Sequence, residues 1–492
     1  MSVVGDLVAG FKAQFLAKLL AAVGSGVLLA ALARLLEPDG YGLFMLALTV
    51  FGTFQLISRF GIPGSAGRYI AEFEETAPEQ IPHIVRFSVL LIVAAVGIIC
   101  LVVFVSYPYV VDLVGEPGLS QFLLVGLVFL VLGSIHTYIS KLLQGFGAIR
   151  VEAAMRVTEP IGRLIFALGL VVAGFGVLGA YIGYIISSAL TITVGAAYLL
   201  HRLRELRRDG ETPPMESGLR RRIAEYSVPL VATNSAYVLD DRIDTLLVGA
   251  LLSPVEVGFY VISDRVVKFV ETPMSALGFT ISPMFGSEKA AGNIERISRI
   301  YEVSLVNTLL LYIPAAAGII LVAEPMIRLV FGADYTNASV VLQVLGPYIV
   351  FKAITKLTDN GLNYLGRARD RAVFRGVTAV LNVVLTVALI PVFGVAGAAL
   401  ATVITYGLYT AANVYIVSLE LELRPTYLLK QLLFIGLITG VMSAVVFSLL
   451  GYISGWITLF LVVGAGGGVW VALSVATGLL EVRKLVSTLG SG

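Results

Sequence analysis

The sequence predicts an all-α integral membrane protein of about fourteen transmembrane helices, arranged as two parallel-repeat six-helix lobes plus two C-terminal helices. Three observations lead there. The 492 residues are 58% hydrophobic and 13% charged at a mean hydropathy of +0.93, where soluble domains carry roughly 25% charged residues. Apolar runs of about 20 residues, the length that crosses a bilayer, recur along the whole chain. Segments of the first half also reappear in the second at a nearly constant shift.

Taken in order, the runs place spans at 12–34, 42–66, 84–106, 119–143, 154–174, 177–199, 224–250, 256–283, 301–322, 339–364, 373–391, 395–417, 428–449 and 456–479. The first follows a segment without a basic n-region and continues past Ala30, so it is expected as a retained helix rather than a cleaved signal. The spans at 42–66, 256–283 and 339–364 are the least apolar because each carries charges. The longest polar segment, 201–222, holds Arg202, Arg204, Arg207, Arg208, Arg220, Arg221 and Arg222. It is expected to join an N-terminal lobe (1–200) to a C-terminal lobe (223–420), with 421–492 forming the last two helices.

Orientation follows from the Lys/Arg bias of short loops. The 201–222 linker, the segment with Lys289, Arg296 and Arg299, the one with Arg367, Arg369, Arg371 and Arg375, and the tail with Arg483 and Lys484 are basic. The alternate loops at 106–118, 175–176, 252–255, 392–394 and 450–455 contain no Lys or Arg, and the loop after the ninth span, with Arg328, is the exception. The alternation places both termini in the cytoplasm of a cell with this protein in its cytoplasmic membrane.

The repeat is legible in three places. LLEPDGYG (35–42) matches LLSPVEVG (251–258), FGVLGA (175–180) matches FGVAGA (393–398), and Gly147 with Arg150 matches Gly366 with Arg369. The shift equals six helices. An even number preserves orientation, so the pseudo-symmetry axis is expected along the membrane normal. Small residues at Gly179/Gly183 and Gly397/Ala401 suit close helix packing within each lobe.

The remaining composition excludes several classes. The single cysteine, Cys100, permits neither an intrachain disulfide nor a thiol metal site, and no metal or cofactor is expected. The chain contains no Gly-Lys dipeptide, hence no P-loop, and the GAGGG run at 464–468 lies inside a span as a packing feature. Short loops leave no room for a soluble catalytic domain, so the chain is not expected to be an enzyme. A net charge of +2 gives no reason to expect nucleic acid as a partner.

On the Leu-x-Pro-x-x-x-Gly turns (Leu36–Gly42, Leu252–Gly258), the segment DDRIDTLLVGALL (240–252) followed by GFY, and the FGVxGA turns, the chain resembles the multidrug/oligosaccharidyl-lipid/polysaccharide (MOP) flippase superfamily over essentially its whole length. The branch it resembles is that of the polysaccharide-biosynthesis, Wzx-like flippases. The resemblance implies a MATE/MOP-like fold working as a monomer. It also implies translocation of a lipid-linked oligosaccharide or polysaccharide repeat unit, on a polyprenyl or dolichyl phosphate or diphosphate, from the cytoplasmic to the outer leaflet.

Charges at membrane depth cost about 2.5–3.5 kcal/mol each on insertion scales and persist where they face a polar interior. Residues at i, i+3, i+4 and i+7 share a helix face. Asn234, Tyr237, Asp241 and Asp244 share one such face, as do Tyr260, Asp264, Lys268, Glu271 and Ser275, and so do Tyr348, Lys352, Thr355, Asp359 and Asn363. The N-terminal lobe offers Gln14, Lys18, Ser25, Gln55, Arg59, His136, Ser140, Gln144 and the stripe Glu152, Arg156, Glu159 and Arg163. These stripes are expected to line a hydrated cleft. A glycan headgroup needs hydroxyl and amide partners, since each unpartnered polar group costs several kcal/mol in hydrocarbon, and a lipid phosphate needs cations. Arg59, Arg163, Asn234, Tyr237, Arg265, Lys268, Lys352, Thr355 and Asn363 are the candidate headgroup and phosphate residues. Asp241, Asp244, Asp264 and Asp359 are the candidates for coupling to Na⁺ or H⁺, and uncoupled transport fits equally.

Other readings compete. Acid–base pairs such as Glu159–Arg163 and Asp264–Lys268, at i,i+4, also suit neutralised struts between helices. A drug/cation antiporter of the same superfamily is the nearest alternative, weakened by the lack of Asp or Glu between Phe11 and Leu36. A non-transporting membrane scaffold for glycan synthesis is another.

Overall fold

A computed structural model describes residues 3–208, 214–271 and 293–480; side chains at 3–23, 113–114, 207–208, 231–241, 360, 364 and 368 lie outside the description. All regular structure among the described residues is helical: α1 Val3–Ser58, α2 Ile62–Thr76, α3 Ile81–Val114, α4 Leu123–Gly145, α5 Ile149–Leu170, α6 Gly176–Arg208, α7 Leu219–Asp241, α8 Ile243–Leu251, α9 254–271, α10 Ile294–Val330, α11 Ala338–Leu365, α12 Ala368–Phe393, α13 Val395–Glu420, α14 Pro425–Leu449 and α15 Trp456–Ala476.

The fourteen expected spans map onto these helices with two merged and two broken. α1 carries the first two spans through a kink at Glu37, whose φ of 57° and ψ of 172° interrupt the helix just before Pro38. The second span breaks after Arg59 and resumes as α2, and the seventh is divided between α7 and α8. Ten segments among the described residues are long and apolar enough to cross a membrane. One of them, Ile149–Leu206, reverses at Gly174 and Gly176 to give α5 packed along α6. The eighth span was expected to reach 283; its part beyond 271 lies outside the described residues.

Backbone conformation carries the repeat more clearly than sequence identity does. Gly176 opens α6 at φ 54°, ψ −140°, and Gly394 precedes α13 at φ 58°, ψ −144°. Gly147 and Gly366 both sit at positive φ, 62° and 80°. Each ends a helix with the same pair of bonds: Gly147 N to Gln144 O with Ala148 N to Leu143 O, and Gly366 N to Asn363 O with Arg367 N to Leu362 O. This is the Schellman pattern, which favours glycine because a Cβ is penalised there.

The contacts divide the chain into two units, 1–258 and 259–492, with the boundary inside α9. In the first unit, lipid supplies no hydrophobic drive between helices, so small residues and aromatic packing hold the bundle. Gly126 and Gly133 on α4 leave the space taken by Phe51 and Gln55 of α1, and Gly183 on α6 abuts the backbone of Ala167 on α5. Tyr181, fully buried, is ringed by Phe44, Phe51, Phe122 and Phe129 at centroid distances of 5.4–6.3 Å. Gly42 rests on the Pro254 carbonyl, so the two repeated Pro-Gly turns touch each other.

In the second unit, α10 packs on α11 and α14, and α13 packs on α11 and α12. Gly397 on α13 leaves no room for a Cβ against Leu389. The last helix pair is tied on by polar bonds. Glu302 of α10, 1% exposed, accepts from the Arg424 backbone N (2.5 Å), Nε (2.9 Å) and Nη2 (2.5 Å), and Trp470 of α15 donates to the Leu310 carbonyl (3.1 Å). Truncating Arg424 removes both guanidinium bonds to this buried carboxylate and leaves only the backbone N–H. Arg424→Ala is expected to lower the melting temperature of the protein, because the buried carboxylate loses its charged partner. Thermal unfolding in detergent checks this, with Arg424→Lys recovering part of the loss.

Candidate functional site

The charged groups of the first unit converge where two spans lose helical continuity. Phe60 and Gly61 adopt positive φ, 44° and 69°, immediately after Arg59. Arg242 at φ −129° separates α7 from α8. Both breaks put an arginine where the backbone bonds less completely to itself, which a membrane protein tolerates only in polar surroundings. The Arg242 guanidinium lies over Gly52 of α1, where a Cβ would collide with it. It is close enough to Arg59 to repel it.

Glu159 of α5 is the anionic centre of this group. It accepts a short hydrogen bond from Arg163 one turn further on, lies 3.6 Å from His136 Nε2 of α4, and acts electrostatically on Arg59. Arg59 Nη2 donates to the Gly133 carbonyl at 3.4 Å, and Arg163 stacks over the Tyr184 ring at 4.5 Å. A second acid on the same stripe, Glu152, is bonded by Arg156 (2.5 Å), Ser140 (3.4 Å) and Gln144 (3.4 Å). One carboxylate therefore serves two guanidiniums and an imidazole, with a third guanidinium nearby. The Nε atoms of Arg59 and Arg163 are buried without a hydrogen-bond partner among the described residues. Buried donors left this way call for water, an ion or a ligand. Asp244 is half-buried in the first turn of α8. Asn234, Tyr237 and Asp241 belong to α7, but their side chains lie outside the description.

Several charges of the second unit are paired among the described residues. Asp264 and Lys268 bond along α9 at 2.8 Å. Lys352 of α11 reaches Glu271 of α9 at 2.6 Å and lies 5.0 Å from the Tyr348 ring centroid, which joins two of the sequence stripes. Arg265 is exposed and takes part in none of the described ion pairs. Thr355 shares a hydroxyl contact with Thr410 at 2.8 Å. Asp359 Oδ1 accepts from Tyr409 (3.1 Å) and Asn413 (3.0 Å), with Arg371 at 3.9 Å from Oδ2. Asn363 is exposed in the last turn of α11.

Several members of these clusters were not among the sequence candidates. Arg371 and Arg375 were counted as loop cations. α12 begins at Ala368 and carries both, four residues apart, so that Arg375 stacks on Tyr406 (4.7 Å) and Tyr409 (4.6 Å). That i,i+4 spacing was the available signal. Arg242 was visible only as a cation between two apolar runs, and Tyr184 and Asn413 had no distinguishing pattern.

The fold and its apolar helices define a multi-pass helical membrane protein. Over 97% of this chain and 100% of the other, it superposes on a solved lipid II flippase MurJ in an inward closed conformation with a TM-score of 0.74 at 15% identity, a likeness of fold. A family model described as polysaccharide biosynthesis protein matches residues 7–287, and the MatE model matches 229–388. The chain belongs to the polysaccharide biosynthesis protein family, within the MOP superfamily. Two curated relatives from Haloferax volcanii are a probable low-salt glycan biosynthesis flippase, Agl15, 26% identical over 42% of this chain and 44% of its own length, and a probable flippase, AglR, 28% identical over 50% and 52%. The chain spans about half the length of these two relatives.

Removing the shared carboxylate should cost more than removing one of the cations it serves. Glu159→Gln is expected to destabilise by about 3 kcal/mol, as for a broken buried pair, and Arg59→Gln by distinctly less because repulsion with Arg242 is relieved. Melting temperatures of the two variants in one detergent check this ranking.

Proposed function

We propose that this protein is a flippase for a lipid-linked oligosaccharide or polysaccharide repeat unit, carried on a polyprenyl or dolichyl phosphate or diphosphate. It moves the headgroup from the cytoplasmic to the outer leaflet of the cell membrane by alternating access of two lobes, 1–200 and 223–420. The linker 201–222 and both termini are cytoplasmic, 421–492 supplies the last two helices, and the working unit is a monomer without enzymatic activity. The observation that carries this reading is that, among the described residues, two guanidiniums, Arg59 and Arg163, share the single carboxylate of Glu159. At this depth each unpaired cation is costly, and a lipid phosphate or diphosphate is the anion that repays it through charge-assisted bonds.

The chemistry divides between the units. Arg59 and Arg163 take the phosphate, with Arg242 reinforcing the field. Asn234, Tyr237, Thr355 and Asn363 offer partners to sugar hydroxyls, while Arg265, Lys268 and Lys352 are further cations for the headgroup. The groove between α10, α14 and α15 is lined by Leu311, Ile319, Val322, Met442, Val446 and Trp470 with a volume of about 380 Å³. It suits an isoprenoid tail that stays in hydrocarbon while the head crosses. Asp241, Asp244, Asp264 and Asp359 remain the candidates for Na⁺ or H⁺ coupling. The names of the Haloferax relatives support the substrate class.

The MatE match over 229–388 favours a second reading, a drug/cation antiporter. Expression in a drug-sensitive host separates the two, since an exporter confers resistance and a saccharide flippase does not. In liposomes, the purified protein is expected to accelerate translocation of a lipid-linked oligosaccharide. The double variant Arg163→Ala/Lys352→Ala, shown to be folded by size exclusion, should lose at least about tenfold of that rate, the scale of one lost charge-assisted bond or more. An unchanged rate in the double variant favours a scaffold over a carrier.

A further inference from the structure

A second polar site lies at the membrane boundary, far along the chain from the Glu159 cluster. The start of α3 and the end of the linker form a groove of about 560 Å³ lined by His83, Arg86, Phe87, Leu90, Val93, Met215 and Arg220, among others. Gln80, 7% exposed, fixes its shape: its Nε2 donates to the Pro214 carbonyl (3.1 Å) and its Oε1 accepts from Glu216 N (2.9 Å), which holds the linker against the helix. Arg220 leans over the Phe87 ring at 5.8 Å.

The lining is ordered by depth. The apolar segment containing α3 begins at Pro78, so His83 and Arg86 lie within its first turns, at headgroup level. Leu90 and Val93 fall on the same helix face, about 6 and 10 Å deeper at ~1.5 Å per residue. They are 66% and 63% exposed and flank Val89, 40% exposed, so an apolar strip runs from the cations into the hydrocarbon. The cations are selectively uncompensated. Arg221 pairs with Glu225 and Arg222 with Glu216, each at 2.6 Å. Arg86 and Arg220, both exposed, have no carboxylate within 4 Å among the described residues.

We propose that this groove binds one anionic glycerophospholipid from the leaflet facing the 201–222 linker, with its phosphate on Arg86 and Arg220 and an acyl chain along Leu90 and Val93. Clustered Arg and Lys at a helix–membrane boundary attract anionic headgroups; the apolar strip selects a lipid over a soluble anion. The bound lipid bridges α3 and the linker and so steadies the segment that connects the two halves. The site is independent of the flippase reading.

Native mass spectrometry of the full chain released from nanodiscs of mixed phosphatidylglycerol and phosphatidylcholine tests the proposal. The wild-type chain should retain one phosphatidylglycerol in preference to phosphatidylcholine. Arg86→Ala/Arg220→Ala should reduce that occupancy at least about tenfold, since two boundary cations are lost, while Arg221→Ala leaves it unchanged. Equal retention of the two lipids by the wild-type chain overturns the proposal without any variant. So does undiminished retention by the double variant, or displacement of phosphatidylglycerol by equimolar polyprenyl phosphate, which would make the groove a substrate site instead.

Discussion

A guanidinium placed in hydrocarbon must find an anion, and among the described residues Arg59 and Arg163 share one, the carboxylate of Glu159. Glu159 is shared by Arg163, His136 and Arg59, and Arg242 presses on Arg59 from the α7–α8 break. Most other features of the unit serve this arrangement. Gly133 of α4 leaves room for Gln55 and accepts a hydrogen bond from Arg59 at its carbonyl, the breaks at Arg59–Gly61 and Arg242 place both arginines where regular helix stops, and Tyr184 covers one face of Arg163. The second unit differs in kind. Among the described residues it pairs Asp264 with Lys268 and Glu271 with Lys352, and its half-buried acid Asp359 is held by Tyr409 and Asn413.

The architecture was largely legible because bilayer crossing imposes a length and a composition that few sequences meet by accident. The repeat was legible because turns demand glycine: Gly176 and Gly394 share a conformation that residues with a Cβ avoid, as do Gly147 and Gly366. Stripes at helical spacing likewise foretold the ion pairs along α5 and α9, since i,i+4 partners on one helix are fixed by geometry alone. What remained hidden depends on where a helix stops. The breaks at Gly61 and Arg242 occur within runs that hydropathy reads as continuous, and the start of α12 at Ala368 turned Arg371 and Arg375 from apparent loop cations into members of the Asp359 cluster. Partners between helices, such as Lys352 with Glu271 or Glu302 with Arg424, have no local signature, because they depend on which faces the bundle brings together.

The two proposed lipid contacts fall in different units. Apolar volume between α10, α14 and α15 lies within the second unit, whereas the Arg86–Arg220 groove sits at the boundary of the first. An isoprenoid tail and a resident phospholipid would thus be handled by different helices.

The central claim is that the surplus cations around Glu159 exist to hold a lipid phosphate. Binding of polyprenyl diphosphate and of uncharged polyprenol to the purified chain in zwitterionic nanodiscs tests it most directly, with wild type and Arg59→Gln compared side by side. The diphosphate is expected to bind the wild-type chain at least about tenfold more tightly than the alcohol, a preference of about 1.4 kcal/mol or more, and Arg59→Gln to erase most of it. Equal affinity for the two lipids, or a preference that survives Arg59→Gln intact, would contradict a phosphate role for this cluster.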